Sequence, residues 1–131
     1  MSENAALELS IVGARKLTDV YGYWISFHDA TVENVLIERQ GPTVTICFET
    51  CDMAYLDGQL VENDRRARVV VRWHEVQELK LEGIDPEGRN WIDGLALIKK
   101  REGIQGELQL MDGFQGKIVA RRVEVVDVCP L

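Results

Sequence analysis

From Thr43 to Thr50 the chain alternates strictly, with Val44, Ile46 and Phe48 on one face and Thr43, Thr45, Cys47 and Glu49 on the other. That is the period of a strand buried on one side. Upstream, Val32, Val35 and Ile37 mark a second strand over Ala30–Arg39, but the apolar phase changes at Asn34, which predicts a bulge there. Gln40-Gly41-Pro42 turns the chain between them, so the two make a first hairpin. Residues 52–66 hold Asp57-Gly58, a two-residue hairpin signal, and then a polar run from Glu62 to Arg66; this stretch is a long excursion or a small ribbon. Ala67–Trp73, with three consecutive valines, reads as a strand covered on both faces. Glu78–Gly83 alternates again, and Trp73–Val76 should link the two. A turn-rich acidic loop over Ile84–Asn90 leads into Trp91–Lys99, a strand or a short helix. Gln105–Met111 and Lys117–Val128 then form a C-terminal hairpin around Asp112–Gly116. Residues 3–20 differ, because Ala5 to Leu9 favour helix and a second short helical stretch covers 14–20 beyond Gly13.

Short turns suit antiparallel strands, since parallel ones need crossovers of about a dozen residues or more. The expected fold is therefore mainly β (α+β): an antiparallel sheet or sandwich of about six or seven strands with one or two short N-terminal helices. A length of 131 residues suits one domain, with residues 1–22 packing as a helical segment on a β body over 30–128. Fifteen valines and nine isoleucines fit that body.

Charge narrows the partners. Fifteen Lys and Arg against 22 Asp and Glu leave a net charge of -7, which disfavours a nucleic acid or an anionic membrane and suits a basic protein. The start, Met1-Ser2-Glu3-Asn4, lacks the basic and apolar pattern of a leader, and no apolar run approaches a membrane span, so a cytoplasmic location is expected. Cys47, Cys51 and Cys129 have no staple-like spacing and are expected as free thiols.

The densest chemistry lies in Tyr21-Gly22-Tyr23-Trp24-Ile25-Ser26-Phe27-His28-Asp29-Ala30. An adjacent histidine and aspartate can ligate a metal or exchange protons. The plainer reading is structural, with the aromatics under the sheet and His28 and Asp29 hydrogen-bonded to backbone at the strand's start. A zinc site from Cys47, Cys51, His28 and His74 lacks the knuckle turn of structural zinc. Ser26 has no Gly-x-Ser-x-Gly elbow around it, and the glycines at 103–106 and 113–116 match no phosphate loop. No catalytic residue, metal or cofactor is therefore expected. Asp85, Glu87, Trp91 and Asp93 form the best candidate for a partner-binding edge, because acidic and aromatic side chains together anchor a basic protein. A solvated turn with Trp91 tucked into the core is the plain counterpart.

Trp24-Ile25-Ser26-Phe27-His28-Asp29-Ala30-Thr31-Val32, followed by a β-rich chain, resembles the bacterial immunity protein 50 family of polymorphic toxin systems. The segment Glu75-Val76-Gln77-Glu78-Leu79-Lys80-Leu81-Glu82-Gly83 and the terminal hairpin look similar too. The chain departs from that pattern at Ile25, where proline is common, and at Thr31, where an acidic residue is common. The resemblance makes Trp24, Phe27, His28 and Asp29 a family motif, and it implies a protein that binds and neutralises a cognate toxin without catalysis. The alternative is a small β enzyme or ligand-binding protein with a pocket around His28 and Asp29, beside Trp24 and Trp73.

Overall fold

The computed structural model describes residues 10–56, 59–87, 90–101, 103–110 and 115–131, with side chains in the strands described outside 52–65 and 105–115. Among the described residues, helix α1 (Ala14–Tyr21) precedes six strands: β1 (Thr31–Glu38), β2 (Thr43–Leu56), β3 (Gln59–Glu82), β4 (Asn90–Lys100), β5 (Gly103–Leu110) and β6 (Gln115–Pro130). All neighbouring strands are antiparallel. They form one sheet closed into a barrel in the order β1-β2-β3-β6-β5-β4. The expected mainly antiparallel β fold is thus present, as a barrel in place of an open sheet or a sandwich. The earlier helical stretch expected before residue 10 lies outside the described residues.

The strand pattern sorts the side chains. Val44, Ile46 and Phe48 on β2, and Ala67, Val69, Val71 and Trp73 on β3, are all buried. They fill the interior together with Ile92, Leu95, Ile118, Val123 and Val125, as a small barrel requires. Among the outward residues of the valine-rich stretch, Arg68 is exposed and Val70 is half-buried. The stretch is therefore covered mainly on its inner face, a correction to the two-sided reading. The bulge expected near Asn34 is there: the register shifts between Val32 and Asn34.

Two expected strands and their link prove to be one. β3 runs through all 24 residues from Gln59 to Glu82, which at roughly 3.3 Å each would span about 80 Å if straight, about twice the width of a domain this size. It must bend, and it does so without breaking. Glu75 takes a left-handed φ of 53°, and the register to β6 shifts between Val76 and Glu78. The β1–β2 turn lies against this bend, with Val76 N–H donating to Pro42 O at 3.0 Å. Toward the other end, the β2–β3 ladder continues to Leu56 and Gln59, so 52–66 is a ribbon. Residues 57 and 58 are outside the described ones.

Helix α1 packs against β6 and turns Ala14, Leu17 and Tyr21 into the core, the spacing of one helical face. Gly13 starts it at φ 74°, and a Cβ there would collide with the Val125 carbonyl oxygen. That close approach carries two backbone bonds, Val12 N–H to Val123 O at 3.1 Å and Val125 N–H to Val12 O at 2.7 Å. Gly22 stops the helix in the left-handed region, its N–H donating to Thr18 O, as glycine does beyond a helix C-terminus. Thr50 donates its hydroxyl to Ala67 O at 2.9 Å. It therefore accepts the Tyr21 hydroxyl at 2.7 Å, which satisfies both buried groups.

Candidate functional site

Closure of the barrel falls on the Trp24–Val32 segment. Among the described residues Thr31↔Trp91 and Val32↔Asn90 are registered between β1 and β4, and the seam continues upstream through a turn. Ile92 N–H donates to Ala30 O at 2.8 Å, Asp29 N–H to Ile92 O at 3.1 Å, and Leu95 N–H to Ser26 O at 3.1 Å. Phe27 and Asp29 hold positive φ values of 63° and 60°, which let the chain turn over Ile92 while keeping these bonds. Phe27 is wholly buried. Its ring meets Phe48 edge-on at 5.3 Å and Trp24 at 6.0 Å, arrangements favoured by the ring quadrupoles.

His28 sits at the apex of the turn, its side chain 40% exposed. Its Nδ1 lies 3.0 Å from the Asp93 backbone oxygen and 3.1 Å from Asp93 Oδ1. A carbonyl oxygen only accepts, so Nδ1 carries the proton. The other nitrogen, Nε2, faces Asp29 Oδ2 at 3.6 Å. The bond to the Asp93 carbonyl is the main influence raising the His28 pKa; partial burial opposes it, and the negative charges of Asp29 and Asp93 add to it. Asp93 is available because the β4–β5 register shifts between Ile92 and Gly94, leaving that residue outside the ladder.

The structure therefore joins two groups that the sequence kept apart, the motif of Trp24, Phe27, His28 and Asp29 and the edge containing Asp93. Trp91, 42% exposed, pairs with Thr31 at the seam. Asp85 and Glu87 are also exposed, in a loop that ties itself together. Asp85 N–H donates to Asn90 Oδ1 at 2.9 Å, Asn90 Nδ2 to Asp85 O at 3.1 Å, and Glu87 N–H to Asp85 Oδ1 at 3.0 Å. Asn90 is the residue the sequence reading missed here. Its only signal was a side-chain amide at the end of a turn-rich loop, a position where such groups bond to nearby backbone.

The other candidates scatter. His74 donates from Nε2 to Glu124 Oε1 at 2.8 Å, on the far side of the sheet order from β4. Trp73 is fully buried in the interior, its indole N–H without a partner among the described residues. None of the three cysteines is joined in a disulfide; burial raises the Cys47 pKa, and Cys51 Sγ approaches His28 O at 3.8 Å. Among the described residues no group of three or more His, Cys, Asp or Glu is placed to hold a metal ion. Nor is any helix there long and apolar enough to cross a membrane.

Fold and site together define a small antiparallel β-barrel whose most elaborated feature is a seam, with acidic and aromatic side chains on its outer side. The chain belongs to the Immunity protein 50 family, whose model matches residues 13–131, and so falls among immunity proteins. No curated protein and no solved structure matches it significantly.

Proposed function

We propose that this protein neutralises a cognate bacterial toxin in the cytoplasm by binding it, with no reaction of its own, and that the seam is part of the contact surface. Family membership over 13–131 supports the immunity role. The observation that carries the mechanism is the exposed edge of Asp85, Glu87, Trp91 and Asp93, mounted on β4 and on a loop held by its own hydrogen bonds. Such an edge is preorganised, so little ordering opposes binding. An exposed aromatic side chain on a strand that, with the loop before it, also exposes acidic groups suits the basic surface of an enzyme that acts on nucleic acid or another anionic substrate. His28 and Asp29 act structurally in this account, by fixing the turn on which the edge is built.

Coexpression tests the reading. Cells producing a candidate toxin domain from this gene's neighbourhood should survive when this protein is present at matched levels. Equal killing with and without it would refute the proposal.

A further inference from the structure

Resting on the immunity reading above, the geometry points to a second contact element: the free edge of β1, from Asn34 to Glu38, which receives an extended strand of the toxin. Among the described residues the β1–β4 seam carries two registered pairs. Continuing the register Thr31↔Trp91 and Val32↔Asn90 would set residues 84–89 beside 33–38. In place of a strand, the described part of that segment contains Pro86, which has no N–H to give a ladder, and the turn stapled by Asp85 and Asn90. Asn34–Glu38 therefore pair with β2 on one side and with no strand among the described residues on the other. Neighbouring residues on a strand point to opposite faces, yet Leu36 is 52% and Ile37 57% exposed. Both faces of this end of β1 are bare.

The lane beside β1 accepts about five residues of an extended chain, running in the direction of β4 and joined by backbone hydrogen bonds. Its side-chain preference follows from its borders. Val35 and Ile37 pair with the buried Ile46 and Val44, so apolar residues suit the inward positions. Glu33 and Glu38 are exposed on β1, with Arg39 at the turn, and Asp85 and Glu87 are exposed in the loop that leads into β4. The described charges are mainly negative, which favours a strand carrying Lys or Arg. A second copy of this chain fits less well, because each copy brings a net charge of -7. The bulge at Glu33 and the short free length are devices that discourage indiscriminate edge pairing, consistent with an edge kept for one partner.

The test uses the full chain and the inactivated toxin domain encoded beside its gene. Amide hydrogen exchange over residues 33–38 should slow when the two are mixed. The double substitution Leu36→Lys and Ile37→Lys, at sites more than half exposed, should weaken binding about tenfold or more, with an unchanged melting temperature to show that the barrel is still folded. If wild type binds but exchange at 33–38 is unchanged, or the double variant binds as well as wild type, the edge proposal falls and the immunity reading stands. If wild type does not bind, both fall. Self-association of the chain alone with slowed exchange at 33–38 would assign the lane to a second copy and likewise overturn the proposal.

Discussion

Phe27 and Asp29 bracket His28 in the left-handed region, at a cost of order 1–3 kcal/mol for a side-chain-bearing residue. Different forces hold the two. Aspartate tolerates that conformation better than most residues, whereas Phe27 is kept there by complete burial against Phe48. Phe27→Ala should therefore lower unfolding free energy by about 3–5 kcal/mol in urea titrations. His28 adds a pH-dependent clamp. Its pKa is raised above 6.5 in the folded protein, so its stabilisation is fully present below the unfolded value and is lost as pH rises through the folded one. The melting-temperature gap between wild type and His28→Ala should thus be widest near about pH 5.5 and narrow as pH rises through the raised folded value, down to what the neutral ring's Nδ1–H bond to the Asp93 oxygen still contributes. With a side chain 40% exposed, the whole effect should stay within about 1 kcal/mol. The motif itself was legible in the sequence as a dense cluster of aromatics with a histidine and an aspartate. Its partner Asp93 was not, because 65 residues separate the two and no local pattern encodes barrel closure.

Individual strands announce themselves by alternation, and the inner face of β2 could be read from Val44, Ile46 and Phe48, although Thr45 and Cys47 on its other face are buried as well; the bulge in β1 followed from one phase change at Asn34. Continuity was harder to see. The bend at Glu75 imitates a strand end, because a left-handed residue followed by a register shift interrupts alternation as a loop would. Closure into a barrel is likewise set by accumulated bends and bulges, which the hydrophobic pattern alone does not specify. The two glycines of α1 separate two physical effects that the sequence reports with one letter. At Gly22, φ is positive but nothing lies within 4 Å of a built Cβ, so Gly22→Ala should cost only about 1–2 kcal/mol, the left-handed penalty. At Gly13 the Val125 carbonyl blocks the Cβ as well. Gly13→Ala should therefore destabilise the fold more than Gly22→Ala, as chemical denaturation of the two variants will show.

At the scale of the whole molecule, in the proposed account, the excess of acidic residues sets how a partner is met and the seam where. Attraction between an acidic protein and a basic one raises the association rate and is screened over roughly 8–10 Å at 0.1–0.15 M salt. Short-range packing governs departure, so Trp91→Ala should raise the dissociation rate by an amount worth about 1–3 kcal/mol, readable from surface-immobilised kinetics. The central claim is that the outer side of the seam meets the toxin. The direct measurement is the association rate of the inactivated toxin domain with wild type and with the triple variant Asp85→Asn, Glu87→Gln and Asp93→Asn, over a series of salt concentrations and with folding of the variant verified by its melting temperature. The account predicts slower association for the triple variant and a shallower salt dependence, with dissociation little changed. Identical association rates at every salt concentration would contradict it.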